Sequence, residues 1–167
     1  IKIVEENEQI NKILSEKSIR NPNFMSEISE NIVKYALLYS KKYKIFPNWD
    51  TESGDLDWIY KKIEVKCFSS LGPSSFGPTE KWDLLYFLDA MDFKNKNFKL
   101  YEIRMSNNHD TWCNIKMNKQ ETYKEQCDSG KRPHIAFEKI KEQLDKINVN
   151  YCKLIWSGHI SELDNVG

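Results

Sequence analysis

The run Leu84-Leu85-Tyr86-Phe87-Leu88 constrains the fold more than any other stretch of the chain. Successive strand residues point to opposite faces of a sheet, so five apolar residues in a row need cover on both sides. That is the pattern of a buried central strand, and the neighbouring segments can supply its cover. Ile28, Ile32, Tyr35, Ala36 and Tyr39 recur at helical spacing and predict a helix from Ser26 to about Lys42. Its other face carries Glu27, Glu30, Lys34 and Lys41. Ile135, Phe137, Ile140 and Leu144 predict a second helix over 134–147. Residues 98–105 alternate as a strand, 151–156 read as another, and 119–128 are weakly helical and polar. Ile10, Ile13 and Leu14 predict a short helix before Asn21-Pro22-Asn23 interrupts it. The order helix, hairpin, two strands, helix, strand predicts an α/β (α+β) fold with a central mixed sheet flanked by helices.

No Gly/Ser linker, repeat or low-complexity tract divides the 167 residues, so the expectation is one domain over 1–167. No apolar run reaches the roughly 18 residues of a membrane span, and the first residues lack a signal-peptide layout. Cys67, Cys113, Cys127 and Cys152 are scattered and read as free thiols. A cytoplasmic protein with no membrane partner is expected. Lys and Arg number 25 and Asp and Glu number 25, for a formal net charge of zero. That balance argues against loose, wholesale phosphate neutralisation. It leaves room for an enzyme that sets carboxylates for a metal beside cations for phosphate.

Such a set stands in Asp55-Leu56-Asp57-Trp58-Ile59-Tyr60-Lys61-Lys62-Ile63-Glu64-Val65-Lys66. Reversal at Tyr60-Lys61 would set Asp57 opposite Glu64 and Asp55 opposite Lys66. The three acids and Lys66 would then share one face, with Leu56, Trp58, Ile63 and Val65 on the other. A slip of one residue would bury the charges, whereas a four-residue turn keeps the same parity. Carboxylates on adjacent strands suit Mg²⁺, a hard cation that retains waters able to attack a phosphate. A lysine two residues after the glutamate can hold that phosphate or stabilise the nucleophile. Glu30, on the preceding helix, is a candidate third acid.

Ser53-Gly54-Asp55-Leu56 followed by Ile63-Glu64-Val65-Lys66-Cys67-Phe68 resembles the PD-(D/E)xK signature of type II restriction endonucleases. Gly72-Pro73-Ser74-Ser75-Phe76-Gly77-Pro78, Trp82-Asp83, Tyr86-Phe87-Leu88-Asp89 and Gly130-Lys131-Arg132-Pro133 extend the likeness to a subset of small enzymes, over residues 24–156. The resemblance implies the αβββαβ nuclease core, with Asp55 or Asp57 as first metal ligand, Glu64 as second and Lys66 as catalytic lysine. Gly54 stands where the family has proline. Asp55 is preferred because the Gly-Asp pair resembles the first half-motif, and Asp57 stays open.

Lys131 and Arg132, with His134, form the densest cationic turn, suited to phosphate or guanine. Ser74 and Ser75 lie in a Gly/Pro/Ser loop able to approach a phosphate, and Asn107 and Asn108 offer amides to base edges. His109, His134 and His159 show no metal-ligand spacing. The expectation is a Mg²⁺-dependent type II restriction endonuclease that cuts double-stranded DNA to leave 5′-phosphates. It would act as a homodimer, beside a separately encoded methyltransferase that protects host DNA. The rivals are a repair or recombination nuclease of the same fold (a nickase or junction resolvase) and a non-catalytic DNA-binding module.

Overall fold

The structure, a computed structural model, describes residues 26–39, 48–49, 56–58 and 61–164. Helix α1 (Ser26–Tyr39) precedes a six-stranded sheet ordered β1 (Asn48–Trp49), β2 (Leu56–Trp58), β3 (Lys61–Phe68), β5 (Leu84–Asp89), β6 (Asn97–Ile103) and β8 (Cys152–His159). The sheet is mixed: β3 and β5 run parallel, and every other neighbouring pair is antiparallel. A separate ribbon pairs β4 (Ser74–Ser75) with β7 (His134–Ile135). Helices α2 (Asp110–Cys113), α3 (Tyr123–Asp128) and α4 (Phe137–Ile147) complete the described elements, with short 3₁₀ turns at Phe93–Asn95 and Ile160–Leu163.

The apolar run of β5 is covered on both faces, as its sequence requires. Leu84, Tyr86 and Leu88 pack in one layer with Ile28, Ile32, Val33, Ala36 and Leu37 of α1 and with Ile63 and Val65 of β3. Leu85 and Phe87 pack in the other layer with Phe76, Trp82, Trp112, Tyr123 and, from α4, Phe137, Ile140 and Leu144. Phe76, Trp82, Trp112 and Tyr123 meet mostly edge to face, with centroids 5.5–6.2 Å apart. Such contacts favour ring edges over ring faces. Trp82, Trp112 and Trp156 are therefore core residues; the side chains of Trp49 and Trp58 lie outside the described residues.

Several predicted boundaries shift for identifiable reasons. The helix expected from 134 starts at Phe137, because His134 and Ile135 pair with Ser75 and Ser74. The weak helix at 119–128 contracts to α3, whose start is fixed by a capping box between Thr122 and Glu125. His109 and His159 serve as helix caps, each accepting a backbone N–H two residues on. On the face of α1 read as polar, Glu30 and Lys34 are buried rather than solvated, with Ser29 and Asn31 beside them in sequence. The helix expected over 3–19 lies outside the described residues. No described helix is long and apolar enough to cross a membrane.

Candidate active site

The hairpin register differs from the sequence reading by two residues. Asp57 pairs with Lys62 and not with Glu64, and Leu56 pairs with Ile63. Lys61, expected in the turn, is the first residue of β3 and pairs with Trp58. A shift of two changes the cross-strand neighbours but preserves the alternation of β3. Ile63 and Val65 accordingly join the α1 layer, while Phe68 packs in the layer of Phe76 and Phe137. Glu64 and Lys66 share the face of Phe68. The predicted Asp55–Lys66 pairing lies outside the described residues, as do the side chains of both aspartates.

Glu64 is 5% exposed. A carboxylate so placed needs partners, because an unpaired buried ion costs several kcal/mol. Lys66 is one: its Nζ lies 3.1 Å from Glu64 Oε1. The same Nζ donates to Glu80 Oε2 at 3.2 Å and stands 5.0 Å from the centroid of the Phe76 ring. The ammonium is thus held between two carboxylates over an aromatic face, an arrangement that favours a cation. β3 and the loop that leads to β5 supply these groups from two directions.

The glycine-proline loop reaches a second cation. Arg132 Nε donates to Ser75 Oγ at 2.6 Å, and its Nη2 lies 4.0 Å from Glu80 Oε1. The β4–β7 ribbon and the bond from Phe76 N to Pro133 O (2.7 Å) tie the 72–80 loop to the turn that carries Arg132. A cavity of about 270 Å³ opens beside Lys66, lined also by Phe68, Ser70, Gly72, Ser74 and Ser75. Hydroxyls, backbone amides and one ammonium make it suitable for a phosphate.

Four expected site residues therefore stand together: Glu64, Lys66, Ser75 and Arg132, with Ser74 on the cavity wall. Others are separated from them. Lys131 turns away to Glu121, at 2.8 and 2.9 Å from its two oxygens. That interaction, together with a bond from Asn118, holds the Glu121 carboxyl below its usual range. Asn107 Oδ1 accepts from Trp82 N at 2.9 Å and its Nδ2 donates to Asn108, so its amide braces the loop before β5. Both asparagines line another cavity, of about 550 Å³, with Glu80, Lys81, Lys124 and Asp128. Glu30 belongs to α1, whose apolar residues pack on the opposite sheet face from Glu64 and Lys66.

Glu80 is the member that sequence reasoning missed. It sits between Gly77-Pro78 and the buried Trp82, in a stretch without periodicity, where an acid reads as ordinary loop charge. Glu64 supplies a hard-oxygen donor of the kind Mg²⁺ prefers, and the paired lysine fits phosphate chemistry beside it. Among the described residues, no three His, Cys, Asp or Glu side chains gather into a metal site. Burial pushes the Cys67 thiol, next to Lys66 in sequence, up to about 12, and Asp89 adds to the shift, so it is no nucleophile at neutral pH.

The family model of the Bsp6I restriction endonuclease matches residues 1–146 of the chain. No individual curated protein and no solved structure matches it significantly.

Proposed function

The chain belongs to the Bsp6I restriction endonuclease family, and from that premise we propose that Glu64 and Lys66, with Asp55, form its phosphodiesterase centre. Membership makes it a type II site-specific deoxyribonuclease acting on DNA. Enzymes of that type generally use Mg²⁺. The observation that supports the assignment is the buried Glu64 carboxylate paired with half-buried Lys66, in the layer that neighbouring β5 fills with apolar Leu85 and Phe87.

In this reading Glu64 and Asp55 hold Mg²⁺. Asp55 directly precedes Leu56, whose partner Ile63 directly precedes Glu64; Asp57, paired with Lys62, is the alternative. The bound ion would supply a water-derived nucleophile and neutralise charge developing on the phosphate. Lys66 would hold a non-bridging phosphate oxygen, with Ser74 and Ser75 lining its approach. Hydrolysis adds water across the P–O3′ bond and leaves a 5′-phosphate and a 3′-hydroxyl. Arg132 would grip the DNA backbone or a base edge, with Lys131, Asn107 and Asn108 as outlying contacts.

The enzyme would work as a single domain and as a homodimer, because one centre cuts one strand and a symmetric target needs two. A cytoplasmic site of action and a separate methyltransferase to protect host DNA follow from a restriction role.

Digestion of unmethylated phage DNA tests the reading. Discrete bands are expected with Mg²⁺ or Mn²⁺. Binding without turnover is expected with Ca²⁺, which takes more ligands at longer distances and misplaces the water for in-line attack. Cutting that persists in EDTA would remove the metal mechanism.

A further inference from the structure

Resting on that reading of Lys66 and Arg132, we propose that Glu80 is a positioning residue that sets the catalytic lysine and restrains DNA-facing Arg132. Its two oxygens divide the work. Oε2 accepts from Lys66 Nζ at 3.2 Å, and Oε1 faces Arg132 Nη2 at 4.0 Å. The loop is shaped around this side chain. Glu80 N donates to Gly77 O at 3.2 Å, and a Cβ added at Gly77 would lie 3.0 Å from both Glu80 Cγ and Oε1. Gly77 thus leaves the space that the Glu80 carboxylate occupies.

The lysine needs such a restraint. Its stem is flexible and its head is a point charge with no preferred direction. Glu64 pulls the ammonium from one side at 3.1 Å, and Glu80 pulls it from the other. Without the second pull Lys66 closes on Glu64 alone and competes with a metal for its oxygens. Glu80 also opposes DNA, since its negative charge stands where phosphate must approach two cations. An arriving phosphate replaces it at Arg132, so Glu80 restrains binding while it prepares cleavage.

Those two roles give opposite signs in one variant. Glu80→Gln keeps the shape and removes the charge. Measured on a duplex taken from a mapped cleavage site, it should bind several-fold tighter in Ca²⁺. It should cut at least about ten-fold more slowly in a single turnover, as is common when the partner of a site residue is removed. Half-saturating Mg²⁺ should rise. A Glu80→Gln protein unchanged in both respects overturns the proposal, and so does a parallel loss of binding and cleavage with a lowered melting temperature. Should Glu80→Gln unfold under assay conditions, Gly77→Ala decides. It displaces the carboxylate by a few tenths of an ångström and keeps its charge. Slower cutting at unchanged affinity is then expected, and a wild-type rate refutes the role. Full cleavage by Lys66→Ala would instead remove the underlying assignment, whatever Glu80 does.

Discussion

β3 and β5 lie side by side, run in the same direction and face the same two layers, yet they fill them differently. Glu64 pairs with Leu85 and Lys66 with Phe87. On that shared face Leu85 and Phe87 are wholly buried among aromatic rings, with the Phe87 centroid 4.8 Å from that of Phe137. One strand over, the same layer receives a carboxylate and an ammonium. Packing explains β5 completely. It does not explain β3, because a buried ion pair seldom stabilises more than apolar residues of similar volume would. Under the proposed function, the difference between two neighbouring strands separates residues that build the fold from residues that would carry the chemistry.

The largest expected effects follow from that contrast. Phe87→Ala should cost about 3–5 kcal/mol in denaturant unfolding, because it removes a buried ring and leaves a cavity behind. Glu64→Ala should abolish cleavage in a plasmid assay while DNA binding and the melting temperature stay nearly intact. Lys66→Ala should abolish it too, at a lower melting temperature, because the buried Glu64 loses its ammonium partner. In the proposed centre their contribution would be to transition-state charge. The comparison fails if Glu64→Ala is as destabilising as Phe87→Ala, or if either charge variant cuts at the normal rate.

Next in size is the ranking of the two aspartates. Asp55→Asn should eliminate detectable cutting, and Asp57→Asn should leave a measurable fraction of it. The reverse order would move the first ligand to Asp57, extending the chemical stretch of the hairpin one step into the segment paired with Lys62.

The same contrast explains what was legible in the sequence. The run Leu84–Leu88 has the length of a strand and needs cover on both faces, so β5 and its two covering layers were predictable once the helical spacing of 28–39 and 135–144 was added. That Glu64 and Lys66 share one face of β3 was legible, because alternation fixes the face of a side chain even when the register shifts by two. The cross-strand partner of Glu64 was not, since parity carries no information about turn length. Glu80 escaped because it reaches the site through tertiary folding of an irregular loop, and no spacing encodes that. The β4–β7 ribbon escaped too: Ser74-Ser75 and His134-Ile135 are 59 residues apart by their paired ends and too short for a periodic signal. Lys131 and Arg132 looked equivalent as neighbours, but one turns to Glu121 and the other to Ser75.

That divergence predicts a moderate effect at Arg132. Arg132→Ala should weaken binding to a cleavable duplex and reduce the logarithmic salt slope by about 0.9 for each phosphate that the guanidinium neutralises. If Arg132 reads a base, sequence preference should blur as well. Unchanged affinity would clear Arg132 of any role in holding DNA and leave the cavity beside Lys66, with Ser74 and Ser75 on its wall, as the phosphate site of this region.

The smallest effect belongs to Lys131. Its ammonium is engaged by both oxygens of Glu121, so it reaches DNA only by leaving a two-point ion pair whose net charge is zero. Lys131→Ala should therefore weaken binding less than Arg132→Ala does, by a few-fold at most, as for exposed pairs in general. Glu121→Gln should do the opposite and strengthen binding at neutral pH, by freeing the lysine. The pH dependence has a definite sign. The Glu121 carboxyl is held low, chiefly by its bond from Lys131, so the pair persists above the ordinary carboxylate range and breaks as pH falls through the lowered value. Fluorescence anisotropy of wild type and Lys131→Ala should show a small gap in affinity at neutral pH. The gap should widen as the pH approaches that lowered value and Lys131 is released, and Glu121→Gln should show the wide gap already at neutral pH. Equal losses for Lys131→Ala and Arg132→Ala at neutral pH would mean that DNA breaks the Glu121 pair readily, and the two neighbours would then form one cationic grip on the backbone.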